Sequence, residues 1–154
     1  MRKTCLVVLL IGVGVCGCLQ AEPVQSNELT IPNFDPDSPA CVIKFKGGAS
    51  PESLRLNLSC LPKSAPTGLE NPAPEVKVQS IHGKNAKGHM SLIDDAQSPH
   101  ADRTRELNFC LYGKQNNFCG SAKVLRLKDG AKVDDTSTIK DWIQRIELQD
   151  AGSQ

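Results

Sequence analysis

The stretch TRELNFCLYGKQNNFCGSAKVLRLKDG, residues 104–130, decides the fold that we predict for this chain. In its first half, apolar residues recur at every second position, as Leu107, Phe109 and Leu111 do. The residues between them face the other way, because side chains of an extended strand point alternately to opposite faces. These residues are Asn108, Cys110 and Tyr112. The polar turn GKQNNF then leads into a second strand, which ends in a DG turn.

Four further runs alternate in the same way, and polar segments rich in Pro or Gly separate most of them. They are CVIKFK (41–46), SLRLNLSC (53–60), EVKVQSI (75–81) and HMSLID (89–94). Six or more strands that are mostly joined locally favour an antiparallel arrangement. We therefore predict a mainly β fold, an antiparallel sheet or sandwich of about six strands.

One segment near the C-terminus, TIKDWIQRIEL (138–148), breaks this alternation. Its apolar residues follow the i, i+3, i+4, i+7 spacing of an amphipathic helix. They are Ile139, Trp142, Ile143 and Ile146. Thr138 can cap the helix N-terminus. We expect the stripe to pack on the sheet with Trp142 in the core; the alternative is a helix that binds a partner.

The N-terminus has the features of an export signal. Arg2 and Lys3 precede an apolar run, Thr4 to Cys16, which is shorter than the roughly 20 residues that a membrane-spanning helix needs. Cleavage after Ala21 would place Leu19 where a small residue is preferred. We predict a signal peptide over residues 1–17.

The tetrapeptide Val15-Cys16-Gly17-Cys18 resembles the lipobox of bacterial lipoproteins: an aliphatic residue, a small residue, Gly or Ala, and the lipidated cysteine. The resemblance implies that Cys18 becomes the acylated first residue. It also implies a periplasmic protein anchored to the outer membrane, because Leu19 rather than Asp follows. Residues 18–38 would form the lipid anchor and a tether, whose last part, with Ile31 and Phe34, can pack as a first strand. Residues 39–150 would form a single disulfide-stapled β-rich domain.

Four cysteines remain in that domain, namely Cys41, Cys60, Cys110 and Cys119. An even number in an exported domain predicts two disulfides, with three possible connectivities. Folding CVIKFK and SLRLNLSC into a hairpin about GGASPES would bring Cys41 and Cys60 to one apolar face. This favours a Cys41–Cys60 pair and leaves Cys110–Cys119 to close a local loop. No C-x₂₋₄-C pair occurs among these four, so their spacing does not indicate zinc.

Charge and polar residues indicate neither nucleic-acid binding nor catalysis. The 18 Lys+Arg residues balance 17 Asp+Glu residues, whereas a phosphate-binding surface needs a basic excess. His82, His89 and His100 lie beside turns, without metal-ligand spacing. Adjacent carboxylates in Asp94-Asp95 and Asp134-Asp135 would point to opposite faces of an extended chain. We predict a protein without catalytic residues, metal or cofactor.

The disulfide-bounded loop is the strongest candidate for a partner-binding site. It presents aromatic and hydrogen-bonding groups on a rigid support, which lowers the ordering cost of binding. These residues are Tyr112, Lys114, Gln115, Asn116, Asn117 and Phe118. The alternative is that the Cys110–Cys119 pair only staples a hairpin.

The segments LNFCLYGKQNNFCGSAKVLRL (107–127) and IKDWIQRIEL (139–148) resemble lipoproteins that protect bacteria from secreted antibacterial toxins, including type VI effector immunity proteins. The resemblance implies a non-enzymatic periplasmic binding module that blocks the active cleft of a toxin or of a cell-wall hydrolase. One alternative is a structural or assembly lipoprotein of the bacterial envelope, with a sheet edge or helix as its contact. Another is an enzyme whose catalytic groups the sequence does not reveal.

Overall fold

The computed structural model describes residues 26–69, 72, 76–95, 97–99, 103–128 and 131–149. These residues form nine strands and one helix. In chain order the elements are β1 (Ser26–Ile31), β2 (Cys41–Lys46), β3 (Asn57–Pro62), β4 (Lys77–His82), β5 (Lys87–Asp94), β6 (Arg105–Tyr112), β7 (Asn116–Lys128), β8 (Ala131–Asp134), α1 (Thr136–Gln144) and β9 (Glu147–Gln149). The predicted fold class, mainly β with one C-terminal helix, is confirmed. The predicted signal peptide and Cys18 lie outside the described residues.

The strands form two antiparallel sheets. The large sheet has six strands in the order β3-β7-β6-β5-β4, with β8 paired to β7, and the small sheet has the order β1-β2-β9. The β6–β7 hairpin lies at the centre of the large sheet, as its alternating sequence predicts. Its register places Phe109 opposite Gly120 and Cys110 opposite Cys119. The two faces of the large sheet therefore carry the two sets of residues that the alternation separated.

The core lies on the inner face of the large sheet. Leu107, Phe109 and Leu111 of β6 are at most 1% exposed, and the small sheet and α1 cover this face. The ring of Trp142 on α1 lies 5.7 Å from that of Phe45 in the small sheet and 6.4 Å from that of Phe109. The prediction that Trp142 packs in the core is thus confirmed.

The helix begins before the predicted cap. Its first residue is Thr136, and Asp135 occupies the N-cap position without a side-chain capping hydrogen bond to the helix, so the capping role of Thr138 was wrong. The Asp134 carboxylate instead accepts a hydrogen bond from the Thr136 N–H at 2.9 Å. Ile146 lies beyond the helix but is fully buried, so it still belongs to the apolar stripe.

The predicted hairpin between residues 41–46 and 53–60 does not exist. β2 pairs with β1 and β9, whereas β3 pairs with β7 in the other sheet. The connection turns at Gly47 and Gly48, whose positive φ angles of 61° and 87° favour glycine. The partners of β2 come from distant parts of the chain, and local alternation carries no information about such pairing.

Residues 26–38, which the sequence assigned to a tether, belong to the folded domain. β1 pairs with β2 along its whole length, with Leu29 opposite Ile43. Ile31 is 9% exposed and joins the core. Of the two residues that were expected to pack here, only Ile31 does so, because Phe34 lies after the strand and is exposed.

The turn between β4 and β5 joins the two sheets. The Asn85 side chain donates a hydrogen bond to the Leu148 carbonyl at 2.8 Å and accepts one from the Leu148 N–H at 2.9 Å. The Lys84 N–H donates to the Ile146 carbonyl at 2.7 Å. A Cβ on Gly83 would lie 2.8 Å from that carbonyl oxygen, so only glycine permits the approach. Asn85 thus supplies β9 with the hydrogen bonds that another strand would make.

We expect Asn85→Ala to lower the free energy of unfolding by about 1 kcal/mol, because both hydrogen bonds to Leu148 are lost. Urea unfolding followed by the fluorescence of Trp142 measures the change. Lys84→Ala is the matched control, since it removes a neighbouring exposed side chain and keeps the backbone hydrogen bond. Equal midpoints for the two variants would contradict the role assigned to Asn85.

Candidate functional site

Both disulfides form with the predicted connectivity. Cys110 and Cys119 are directly opposed in the β6–β7 hairpin, with their Cα atoms 4.0 Å apart. Cys41 and Cys60 have Cα atoms 5.5 Å apart and join the small sheet to the large one. The predicted Cys41–Cys60 pair is therefore right although the predicted hairpin is not. Cys41 and Cys60 each lie on the inner face of their own strand, and the two faces oppose each other.

The predicted partner-binding residues divide between the surface and the interior. Lys114 and Gln115 are exposed, and Tyr112 and Asn116 are half-buried. Asn117 is 3% exposed and Phe118 is fully buried. β7 already begins at Asn116, so its alternation turns Phe118 to the inner face, where its ring lies 5.8 Å from that of Phe109. Phe118 therefore packs the core and is not available to a partner.

Tyr112 lies on the outer face of the large sheet and has its own contacts there. Its hydroxyl lies 3.0 Å from Nδ1 of His89, and the two rings pack edge to face at 5.6 Å. Tyr112, Leu61 and Leu69 surround the Cys110–Cys119 disulfide in a small second apolar cluster. These contacts hold Tyr112 against the sheet.

Two segments fix the turn at residues 113–116. The Gly113 N–H donates to the Asn116 carbonyl at 2.9 Å and closes the turn. Lys63 donates from its backbone N–H to the Gln115 carbonyl at 3.1 Å and from Nζ to the Gly113 carbonyl at 2.7 Å. On the other side, the Asn116 side chain donates to the Pro39 carbonyl at 2.8 Å. We name residues 32–40, 62–66 and 113–116 together the cystine-braced end.

Phe34 is the most exposed large apolar residue of the described chain, with 86% of its surface accessible. Its backbone is nevertheless held in place. The Phe34 N–H donates to the Cys60 carbonyl at 2.9 Å, and the Asn33 side chain donates to the Asn116 side-chain oxygen at 3.0 Å. The Asp35 carboxylate accepts hydrogen bonds from the Ser38 hydroxyl at 2.9 Å and the Asp37 N–H at 3.1 Å. Phe34 is thus an aromatic side chain displayed on an ordered loop.

Phe34 was expected to pack, with Ile31, as part of a first strand, and its exposure on the surface was not predicted. A usable signal was present in the segment NFDPDSPA (33–40), where two prolines, two aspartates and a serine predict a turn. An aromatic residue inside such a turn has no strand or helix to carry it into the core.

The paired carboxylates do not converge on one point. Asp94 accepts a hydrogen bond from Arg105 Nε at 2.6 Å, and Arg105 Nη1 lies 3.8 Å from the Asp134 carboxylate. The hydrogen bond from Arg105 lowers the pKa of Asp94 below its ordinary value, and hydrogen bonding by Thr136 lowers that of Asp134. Asp95 serves a different purpose, because it accepts hydrogen bonds from Ser98 and from the Gln97 N–H in a turn.

The remaining residues that were considered as metal ligands are the three histidines. His82 is exposed, His89 contacts Tyr112, and His100 lies outside the described residues. Within the part of the chain that the structure describes, no group of three His, Cys, Asp or Glu side chains could hold a metal ion. In the same residues, no helix has the length and apolar character needed to cross a membrane.

A scan of protein-family models and searches of curated proteins and solved structures return no match to this chain. The candidate site therefore follows from the geometry of the described residues. That geometry singles out the cystine-braced end, where three segments meet around two disulfides and one exposed aromatic side chain.

The ion pairs of Arg105 predict how stability depends on pH. Because the pKa values of Asp94 and Asp134 are lower in the folded chain than the ordinary 3.8, the unfolded chain binds more protons as the pH falls. We expect the free energy of unfolding to decrease between about pH 5 and pH 3, by about 1 kcal/mol at most for these exposed pairs. Urea titrations at several pH values measure it.

Arg105→Ala should make this decrease smaller, because it removes the main cause of the Asp94 shift. Lys123→Ala is the control, since it removes an exposed cation from the same sheet and leaves Arg105 in place. A pH dependence that is the same in Arg105→Ala and in the wild type would contradict this account.

Proposed function

We propose that this protein is an exported, non-enzymatic binding module that recognises a protein partner through the cystine-braced end. The observation that carries the proposal is Phe34, an almost fully exposed aromatic residue on a hydrogen-bonded backbone. The two disulfides are compatible with an exported protein, because such bonds persist in oxidising compartments.

The order of the loop around Phe34 affects the free energy of binding. A binding loop that is flexible loses conformational entropy when a partner fixes it, and a loop that is already fixed does not. Phe34 has its backbone held by Cys60 and its neighbours by hydrogen bonds. Aromatic residues supply much of the binding energy in protein interfaces when they enter a pocket of the partner. Phe34 is an exposed aromatic residue whose backbone is already ordered before a partner binds.

The surroundings of Phe34 fit the rim of an interface. Asp37, Lys63, Lys114 and Gln115 are exposed polar residues of the same end. An apolar anchor with a polar, solvent-accessible rim is the usual arrangement of a protein–protein contact. The fitting partner therefore has an apolar pocket that accepts one aromatic ring, with polar groups around its mouth.

The proposed partner class is an antibacterial toxin or a cell-wall hydrolase. The resemblance of residues 107–127 and 139–148 to immunity lipoproteins supports this class, and a single exposed aromatic ring suits a concave active cleft. The proposal includes periplasmic localisation and an outer-membrane lipid anchor at Cys18, which the lipobox-like Val15–Cys18 supports. It involves no cofactor and no nucleic acid.

A structural or assembly lipoprotein of the envelope is the second candidate. It was expected to use a sheet edge or the C-terminal helix as its contact. The apolar stripe of α1 is buried, with Ile139, Trp142 and Ile143 at most 2% exposed, so the helix offers no apolar contact surface. In the described chain β4 pairs only with β5, so one side of β4 has no strand partner, and this observation supports the second candidate.

We expect Phe34→Ala to weaken recognition of the partner and to leave the fold intact, because the ring contacts solvent. Tagged protein is used to capture its partner from the periplasm, and the affinity of the captured partner is then compared between variants. A loss of about 2 kcal/mol, or roughly 30-fold in Kd, is expected for an anchor residue. Ile93→Ala is the matched control, since Ile93 is, among the residues whose side chains are described, the other exposed large apolar residue, at 43%.

The immunity function is tested in cells of the source bacterium. A strain without this gene should become sensitive to the toxin; the wild type and Ile93→Ala should restore resistance, and Phe34→Ala should not. The proposal is wrong if no stoichiometric partner is recovered and deletion leaves toxin sensitivity unchanged. If Phe34→Ala binds the partner as tightly as the wild type does, the cystine-braced end is not the binding site.

The lipid anchor has a separate test. We expect cells that express the protein to incorporate a labelled fatty acid into the wild type, and not into Cys18→Ser, because only a cysteine in that place is acylated. Cys16→Ser is the control and should label like the wild type. Equal labelling of the wild type and Cys18→Ser would exclude Cys18 as the lipidation site.

A further inference from the structure

The two outer edges of the large sheet differ. The β3 edge is covered at Cys60, because Asn33 bridges to Cys60 and the Phe34 N–H donates to the Cys60 carbonyl at 2.9 Å. The β4 edge lies at the other end of the strand order. Among the described residues, β5 is the only strand that pairs with β4. One side of β4 therefore has no strand partner in the described chain.

The hydrogen-bond pattern identifies which backbone groups of β4 face outward. The Gly83 N–H donates to the Ala86 carbonyl at 2.8 Å, so 83 and 86 are a hydrogen-bonded pair of the β4–β5 ladder. Such pairs recur at every second residue of an antiparallel ladder. Residues 77, 79 and 81 thus bond to β5, and Val78, Ser80 and His82 direct their N–H and C=O groups away from it. We name this row the open edge.

The open edge lacks most features that protect strand edges from pairing. Protected edges carry proline, a bulge, inward-pointing charges or a covering segment. The register of β4 against β5 runs without a shift from Lys77 to His82, and no proline lies in that range. Ser80 and His82 are exposed. Lys77, at one end of β4, is the one Lys, Arg, Asp or Glu residue of this strand.

A trough of about 430 Å³ runs beside the open edge, between β4 and α1. Its floor is apolar and consists of Ile81, Met90 and Ile143, of which the last two are 1% exposed. Polar side chains of Gln79, Lys140 and Gln144 also line it. Alternate side chains of a strand added at the open edge would project into this trough, because side chains of neighbouring strands lie on the same faces.

We propose that the open edge is a strand-addition site for an extended segment of a protein partner. The segment places one apolar side chain on the floor of the trough and an acidic side chain, two residues along, beside Lys140. Backbone hydrogen bonds to Val78, Ser80 and His82 supply affinity, and the pockets for alternate side chains supply specificity, as in other strand-addition complexes. Lys140 is the only Lys or Arg that lines the trough, and no Asp or Glu does so among the described residues.

A second copy of this chain fits the site less well. Two β4 strands paired about Ser80 would place Val78 opposite His82, which is sterically ordinary. The sequence of β4, KVQSIH, contains no carboxylate, so a second copy would leave Lys140 without an acidic partner from that strand. The charge of the trough therefore favours a different protein. The open edge shares no residue with the cystine-braced end, so the inference does not depend on the function proposed above.

The test uses linear heptapeptides displayed on phage, selected on the purified oxidised chain. We expect the selected peptides to alternate polar and apolar residues and to carry Asp or Glu. Ser80→Pro removes an N–H of the open edge without removing a β4–β5 hydrogen bond, and should weaken peptide binding by at least about tenfold. Ser80→Ala, the matched control, should bind like the wild type. NMR shifts on binding should centre on the amides of Val78, Ser80 and His82.

Lys140→Glu is the second variant. Its result is independent of any effect that Ser80→Pro has on the folding of β4. Selection on Lys140→Glu should return peptides with Lys or Arg in place of the acid. Phe34→Ala should bind the peptides selected on the wild type with unchanged affinity.

The proposal is overturned if selection yields no peptide that distinguishes Ser80→Pro from Ser80→Ala, or if the selected charge is the same for both Lys140 forms. Sedimentation that shows a dimer for the wild type and a monomer for Ser80→Pro would assign the open edge to a second copy instead.

Discussion

The packing of Trp142 is the contact on which the rest of the structure depends. Its ring lies between Phe45 of the small sheet and Phe109 of the large sheet, and it belongs to the helix itself. One side chain thus joins the helix to both sheets. A small β domain has little apolar surface to bury, so a single large aromatic residue at such a junction carries a large share of the burial. The Cys41–Cys60 disulfide supports the same junction, because it connects the two sheets covalently.

The two proposed binding surfaces are consequences of how the two sheets meet. β1 and the segment after it lie beside β3, so that Asn33 and Phe34 cover one edge of the large sheet through the Cys60 backbone. Covering that edge places Phe34 on the surface beside the turn at 113–116. The opposite edge, at β4, receives no such cover among the described residues. At the cystine-braced end, the backbone is held in place around an exposed aromatic ring. At the open edge, the backbone groups of β4 have no strand partner in the described chain and lie beside the trough.

Sequence reasoning succeeded where the pattern is local. The alternation of Leu107, Phe109 and Leu111 predicted the inner face of β6, and the spacing of Ile139, Trp142 and Ile143 predicted the buried stripe of α1. It failed where a strand pairs with a distant segment. β1 and β9 are short or weakly alternating, and both pair with β2 in the small sheet. The interpretation of Phe118 as a surface residue failed for a related reason, since the turn ends at Asn116 and not after it.

The sequence by itself determined which residues share a strand face, which residues form the helix stripe, and which four cysteines are available to pair. These properties follow from the periods of strand and helix, which each segment carries regardless of its neighbours. Only the tertiary structure decided that β2 and β3 belong to different sheets, that Phe34 is displayed and Phe118 buried, and that β4 is an edge. Strand order and edge exposure depend on which distant segments pair, and that choice is made by the burial of the whole core.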